Sequence, residues 1–134
     1  FELELLAGQP VPDLAAAISA ATGLLAHGPR LVVVTSLGNQ GTACLAVTAE
    51  GRWVVETPRV DLRVQVNGAG DLLAALLLGR LLKGDTAADA LSTAVSAVYA
   101  VLVRTHAEDG RELALVAAQD LLVAPPRRFL AAPL

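Results

Sequence analysis

The stretch VNGAGDLLAALLLGRLLKG, residues 66–84, decides the fold class of this chain. Apolar residues fill most of it, and a lysine followed by a glycine ends it, which is a helix stop signal. The pattern therefore predicts an apolar helix that begins near Gly70. Gly68, Gly70 and Asp71 stand at its start, although a buried helix needs none of them in order to pack.

The turn before this helix has the chemistry of an anion site. Backbone N–H groups at a helix N-terminus lack intrahelical partners and carry the positive end of the helix dipole. Gly68 and Gly70 would let that backbone approach a phosphate closely and adopt positive φ. Asp71 cannot hold a phosphate, because like charges repel, but beside one it could take a proton from an attacking hydroxyl. An ordinary strand-to-helix turn explains the same residues, and the string matches neither a Walker loop nor a dinucleotide fingerprint.

The rest of the chain predicts alternating helices and strands. A helix is predicted over roughly 12–27, and the β-branched run LVVVT (31–35) is typical of a strand buried on both faces. TACLAVT (42–48) and RWVVET (52–57) predict a hairpin. Asp85 is predicted to cap a second long apolar helix.

Two further segments are less defined. Residues 1–6 predict an acidic turn or short helix, and residues 112–129 fit either a strand or a helix. The second long helix is better defined and is predicted to run from 86 to about 104. This order of elements indicates an α/β architecture with helices against a sheet. Three strands make a small sheet for two layers of helix. Because the chain begins at Phe1 and contains no methionine, we expect it to be part of a longer one.

Composition excludes several classes of protein. The chain has 134 residues, of which 54% are hydrophobic and 3% aromatic, and its net charge is -3. A mildly acidic chain with few aromatic residues is a poor candidate for binding nucleic acid. The single cysteine, Cys44, excludes an internal disulfide, suits a reducing cytoplasm and is expected to lie in the core. Arg80, Lys83 and Asp85 interrupt the most apolar stretch, so no membrane span is expected, and the acidic start is unlike a signal peptide.

Four stretches resemble the pyridoxal kinases of the ribokinase-like (PfkB) superfamily. They are FELELL (1–6), GPRLVVVTSL (28–37), NGAGDLLAALLLGRLLKGDTAADALSTAVSAVYAVLVRT (67–105) and ELALVAAQDLLVAPPRRFLAAPL (112–134). The resemblance implies a ribokinase-like sandwich of a mostly parallel sheet between helices. Residues 1–134 would be a single domain portion, namely the C-terminal, nucleotide-binding half of such a kinase.

The resemblance also implies an activity, which is ATP-dependent phosphorylation of the 5′-hydroxymethyl group of pyridoxal. Asp71 matches the catalytic base of the family. The backbone amides of an anion hole match Gly68, Ala69 and Gly70. Glu2 matches an acid near Mg²⁺, acting through water, and a monovalent cation (K⁺ or Na⁺) is usual in the family.

The nucleotide side of the site follows from the same resemblance. Thr35 and Ser36 match positions that contact the phosphates of ATP. A loop on the nucleotide side matches Thr57, Pro58, Arg59 and Val60. The resemblance further implies a cytoplasmic homodimer that binds ATP and a small-molecule substrate, and neither nucleic acid nor a membrane.

The identity of the substrate stays open at this point. Ala69 stands where pyridoxal kinases usually have valine or threonine, and Gly-Ala-Gly-Asp is the form of the wider sugar kinases. A ribokinase-like kinase for a hydroxymethylpyrimidine or a sugar is therefore an alternative. A catalytically inactive nucleotide-binding or dimerisation fragment is another.

Overall fold

The computed structural model describes residues 1–38 and 42–134, which form five helices and four strands. In chain order they are α1 (Glu2–Ala7), α2 (Leu14–Leu25), β1 (Leu31–Leu37), β2 (Ala43–Thr48), β3 (Arg52–Glu56), α3 (Ala69–Leu82), α4 (Ala87–Ala107), α5 (Gln119–Val123) and β4 (Ala132–Pro133). The chain divides into two compact units. The first unit comprises residues 1–56 and 131–134, and the second comprises residues 57–130.

The first unit is a small sheet covered by α2. The strands follow the order β1-β2-β3-β4, and the pairings among them are antiparallel. The predicted hairpin of β2 and β3 is confirmed, and Thr48 closes its turn by accepting hydrogen bonds from the Glu50 and Gly51 N–H groups. Ala17 and Ala21 of α2 pack on Leu45 and Val47 in the core of the unit. The mostly parallel sheet expected of the complete fold is not represented by these four strands.

β1 differs from its prediction. The sequence predicts a strand buried on both faces, but β1 lies at the edge of this sheet, where Leu31–Val34 are half-buried and Thr35 and Ser36 are exposed. The prediction is wrong because a β-branched run reports strand propensity, which does not distinguish an edge strand from a central one. The pairing with β2 is irregular between Val34 and Leu37.

The helix starts of the first unit follow from hydrogen-bonding side chains. Asp13 caps α2, because its Oδ1 accepts a hydrogen bond of 2.8 Å from the Ala16 N–H. The predicted short helix at the start of the chain is confirmed as α1. Glu4 of α1 accepts a hydrogen bond of 2.9 Å from the Val11 N–H, which ties α1 to the segment that leads into α2.

The second unit is built on α4. Ten residues of this helix are buried, and α3 packs against it through the buried Leu73 and Leu77. The prediction that Asp85 caps α4 is wrong. Thr86 is the N-cap, since its Oγ1 accepts a hydrogen bond of 3.1 Å from the Asp89 N–H. Asp85 instead accepts a hydrogen bond of 2.6 Å from Arg80 Nε and closes the α3–α4 connection.

The length and composition of α4 also revise an expectation. It spans 21 residues with a mean hydropathy of 1.3 over its most apolar part, so by these criteria alone it could cross a bilayer. The sequence prediction that no stretch meets these criteria is therefore wrong. Half of that part is buried inside the structure, as in the core helix of a globular domain.

The C-terminal segment of the second unit is mostly irregular. Of the two alternatives for residues 112–129, a helix forms only over the five residues of α5. The rest runs over α4 and is held there by two buried hydroxyls. Ser96 Oγ accepts a hydrogen bond of 2.9 Å from the Phe129 N–H, and Thr105 Oγ1 accepts one of 3.0 Å from the Ala114 N–H.

Candidate active site

The turn at the start of α3 has the geometry expected of an anion site. Gly68 is the N-cap residue and lies in the left-handed region with φ 91, which confirms the positive φ predicted there but not at Gly70. The first intrahelical bond joins the Leu72 N–H to the Gly68 carbonyl at 2.9 Å. The N–H groups of Ala69, Gly70 and Asp71 precede this bond, so helix geometry leaves them without intrahelical acceptors.

Neither crowding nor a left-handed φ requires glycine at position 70 in the described structure. Its φ lies outside the left-handed region, and it is exposed in the first turn of α3. A Cβ built on it would meet no heavy atom within 4 Å. Alanine would satisfy the helix better, so the space beside this backbone is the feature that glycine preserves.

Asp71 presents an exposed carboxylate in the first turn of the same helix. Within residues 1–38 and 42–134, no basic side chain forms an ion pair with it. A carboxylate that is accessible and not neutralised by a cation can accept a proton from a substrate placed beside it.

The predicted nucleotide-side loop, Thr57, Pro58, Arg59 and Val60, belongs to the same unit. Arg59 Nε donates a hydrogen bond of 3.1 Å to Asp61 Oδ1, and both side chains are exposed. An exposed ion pair of this kind is worth little, so Arg59 can exchange Asp61 for a phosphate with little loss.

The remaining predicted residues lie in the first unit, where they line one cavity. Glu2, Thr35 and Ser36 contribute to a cavity of about 810 Å³. Ser36 has φ 59, a left-handed conformation that serine adopts only rarely. Strained backbone of this kind clusters at functional sites, so Ser36 is the strongest candidate in the cavity.

The described charged side chains that line this cavity are all acidic. Its described lining includes the carboxylates of Glu2, Glu4, Asp13 and Glu56 and no lysine, arginine or histidine. Glu4 has a structural role, since the hydrogen bond from the Val11 N–H lowers the pKa of its carboxyl. Glu2 is exposed and makes no ion pair or side-chain hydrogen bond within the part of the chain that the structure describes.

Cys44 is not a nucleophile. Burial raises the pKa of its thiol to about 11, although the backbone of Ser36 hydrogen-bonds to it and opposes that shift. The thiol is therefore protonated at neutral pH. The prediction that Cys44 lies in the core is only partly correct, because the residue is half-buried between the buried Ala43 and Leu45 of β2.

The predicted site residues thus fall into two sets. Glu2, Thr35 and Ser36 share the cavity of the first unit, and Gly68 to Asp71 and residues 57–60 belong to the second unit. Sequence reasoning missed Glu56, which ends β3 at the cavity, because a strand-terminal acid gives no distinctive signal. It also missed that Leu113 lies beside the position a Cβ on Gly68 would occupy, since the two residues are far apart along the chain.

The described residues include three parts of a phosphotransferase that acts on small molecules. These are a glycine turn that offers free amides, an adjacent free carboxylate and strand-end hydroxyls. The chain belongs to the pfkB family of carbohydrate kinases, whose family model matches residues 1–111. The ribokinase-like α/β fold predicted from the sequence is thereby confirmed.

Relatives in sequence confirm the resemblance to pyridoxal kinases. The chain is 52% identical over 135 residues to the pyridoxal kinase PdxY of Rubrobacter xylanophilus, covering 96% of this chain and 46% of that protein. It is 44% identical to the pyridoxal kinase PdxY of Deinococcus radiodurans, covering 98% of this chain and 47% of the relative. The chain therefore spans about half the length of the curated relatives it matches.

Solved structures give the same result for the fold. The pyridoxal kinase of Leishmania donovani in complex with ADP and pyridoxine superposes with a TM-score of 0.88 at 26% identity, covering 100% of this chain and 49% of that one. The pyridoxal kinase of Entamoeba histolytica with PLP gives a TM-score of 0.79 at 23% identity, covering 99% and 47% of the two chains. At that lower identity the likeness concerns the fold alone.

Proposed function

We propose that the protein transfers the γ-phosphoryl group of ATP to the 5′-hydroxyl of pyridoxal, giving pyridoxal 5′-phosphate and ADP. The observation that carries this proposal is the Gly68–Asp71 turn, with its positive φ, its open space at Gly70 and its free carboxylate. Identities of 52% and 44% to pyridoxal kinases support the choice of substrate.

In this mechanism Asp71 is the general base. It takes the proton of the 5′-hydroxyl as that oxygen attacks the γ-phosphorus, and the bond from phosphorus to the β–γ bridging oxygen breaks. Removing such a base costs about 10² to 10⁴-fold in turnover. The exposed position of Asp71 in the first helical turn leaves its oxygens accessible to a substrate hydroxyl.

The backbone of the turn stabilises the charge that the transferred group carries. The N–H groups of Ala69 and Gly70 have no intrahelical acceptors, and they follow the left-handed N-cap residue Gly68. Donors that are fixed before the reaction need no reorganisation during it, and each is worth about 10² to 10³-fold in kcat.

The other phosphates of ATP are assigned to the strand end and the loop. Thr35 and Ser36 offer hydroxyls and strained backbone at the end of β1, and the loop Thr57–Val60 offers Arg59. In open α/β sheets ligands gather at the carboxyl ends of parallel strands, and β1 would be such a strand only in the mostly parallel sheet expected of the complete fold.

A magnesium ion fits the residues of the cavity. Its described lining is acidic and without basic side chains, so phosphates placed there need a cation to neutralise them. Mg²⁺ binds through one or two carboxylates together with substrate phosphates and keeps several waters, which suits the free carboxylate of Glu2. The ion would supply neutralisation of the phosphate oxygens. The monovalent cation, the homodimer and the cytoplasmic location stay predictions.

The test is turnover of the protein at its full natural length with ATP and magnesium. Pyridoxal, a hydroxymethylpyrimidine and a panel of sugars would be offered separately, and both ADP and the phosphorylated product would be measured. We expect pyridoxal to be the preferred substrate by kcat/KM. Preference for a pyrimidine or a sugar would contradict the substrate, and ATP binding without turnover of any of them would contradict the activity.

A further inference from the structure

The side chain of Leu113 lies close to Gly68, the N-cap residue of α3. A Cβ built on Gly68 would lie 3.6 Å from Leu113 Cδ1, so the leucine methyl stands at van der Waals distance from that position. Leu113 is half-buried and belongs to the irregular segment that follows α4. No other atom outside the immediate chain lies within 4 Å of that position among the described residues.

Leu113 is held by the end of α4. The fully buried Thr105 donates a hydrogen bond of 2.8 Å to the Val101 carbonyl and accepts one of 3.0 Å from the Ala114 N–H, next to Leu113. The Gly110 N–H donates a hydrogen bond of 3.0 Å to the Thr105 carbonyl, so the connection is closed on the same residue. The buried side chain of Thr105 therefore fixes the segment that contains Leu113 to the end of α4.

The far end of this segment is anchored to the same helix. Ser96 accepts a hydrogen bond from the Phe129 N–H at 2.9 Å, and the Phe129 ring meets Tyr99 edge to face with centroids 4.8 Å apart. The guanidinium of Arg127 lies 4.6 Å from the centroid of the Phe129 ring. Residues 111–130, here called the strap, are thus fixed to α4 at both ends.

We propose that Leu113 is a positioning residue for phosphoryl transfer, acting on the Gly68 turn and held in place by Thr105. The inference rests on the proposed function. Glycine has more backbone conformations open to it than any other residue, so the φ of 91 at Gly68 needs support from its surroundings. The Leu113 methyl supplies that support by filling the space into which the turn would otherwise rearrange.

The consequence for the reaction follows from the cost of misplaced donors. The amides after Gly68 stabilise charge only if they point at the transferred group, and a displacement of about 1 Å can cost 10²-fold in rate. Leu113 does not touch the substrate in this proposal. Its loss should therefore lower kcat and leave the KM for ATP nearly unchanged.

The test compares Leu113→Ala with Leu113→Met and Val116→Ala in the protein at its full natural length. Met keeps a methyl-terminated apolar chain, and Val116 is an exposed residue of the same strap. We expect Leu113→Ala to lower kcat about 10 to 100-fold with a KM for ATP within about twofold of wild type. Leu113→Met and Val116→Ala should stay close to wild type.

Amide hydrogen exchange at Leu72 reports on the turn without any turnover, because its N–H bonds to the Gly68 carbonyl. In Leu113→Ala this amide should exchange about tenfold faster, whereas the central amides of α4 keep their protection. Thr105→Val, which removes the acceptor of the Ala114 N–H, should act in the same direction, and Thr105→Ser should restore both readouts.

Several outcomes would overturn the proposal. Three results with Leu113→Ala would each show that Leu113 does not position the turn. They are unchanged amide exchange at Leu72, faster exchange with unchanged kcat, and loss of amide protection throughout α4. An inactive wild-type protein would refute the proposed function, and the positioning role with it. An active wild type with an equally active Leu113→Ala would refute the positioning role alone.

Discussion

The substitution Gly70→Ala separates anion binding by the α3 turn from the folding of α3. Gly70 is exposed, its φ is not left-handed, and a Cβ on it would meet no heavy atom within 4 Å. Alanine is favoured over glycine inside helices by about 0.5–1 kcal/mol. The variant should therefore be as stable as the wild type or more so, with a thermal midpoint raised by up to about 4 °C.

The same methyl group should remove most of the activity. If a phosphate oxygen approaches the Gly70 backbone, the new Cβ occupies the space that the oxygen needs. Losing one donor of an oxyanion site costs about 10² to 10³-fold in kcat, and we expect turnover to fall by that factor. Initial rates at saturating ATP and pyridoxal would be measured on the protein at its full natural length, together with its thermal midpoint.

Gly23→Ala is the matched control. Gly23 is also exposed within a helix, α2, and a Cβ on it would also meet nothing within 4 Å. It should gain stability in the same way and keep its turnover. If Gly70→Ala turned over substrate as fast as Gly23→Ala, no phosphate would approach this backbone, and the anion-hole assignment would be refuted.

Three further predictions concern other parts of the structure. Asp71→Asn should lower turnover about 10² to 10⁴-fold while nucleotide affinity is retained. The control Asp120→Asn, at an exposed residue in the first turn of α5, should leave turnover unchanged, and equal rates of the two variants would exclude Asp71 from the mechanism. Ser96→Ala removes the acceptor of the buried Phe129 N–H and should lower the free energy of unfolding by about 1–3 kcal/mol, as measured from denaturant midpoints. A loss below about 0.5 kcal/mol would show that Ser96 does not anchor this segment. The Cys44 thiol, with its pKa of about 11, should resist alkylation at neutral pH, and rapid alkylation of the folded protein at pH 7 would contradict its burial. Because the folded state favours the protonated thiol, the contribution of Cys44 to stability should decline only above about pH 9.

The elements that sequence predicts well are those with local signals. The hairpin of β2 and β3, the helix predicted over roughly 12–27 and the apolar helix that begins near Gly70 each depend on neighbouring residues, and all three are confirmed. The errors arise where several local choices compete. Asp85 and Thr86 are both good N-cap residues, and the pairing of Asp85 with Arg80 leaves the cap to threonine.

Strand placement and short elements depend on contacts between distant residues. The β-branched residues of β1 suit a central strand and an edge strand equally well, so the sequence does not decide its position in the sheet. β4 has only two residues, Ala132 and Pro133, and too few for any alternation to be visible. α5 is similarly short, and its surroundings on α4 decide its conformation.

The same division holds for the candidate site. The turn at Gly68 was predictable because glycine, helix start and carboxylate are adjacent in sequence. The left-handed φ of Ser36 was not, since serine rarely adopts it and the irregular pairing of β1 with β2 imposes it. The closeness of Leu113 to Gly68 was not predictable either, because the fold of the strap on α4 brings the two together.

The acidic character of the chain is compatible with a polyphosphate ligand for a physical reason. A net charge of -3 and an acidic cavity would repel ATP if basic side chains were its only means of binding. In the proposed function, backbone amides at the start of α3 would attract phosphate without adding formal charge, and a carboxylate such as Glu2 would attract the cation that accompanies ATP. Charge neutralisation then depends on the nucleotide arriving with its metal. A chain that binds phosphate in this way should hold ATP weakly without magnesium, and magnesium-independent binding would argue that basic residues such as Arg59 neutralise the phosphates instead.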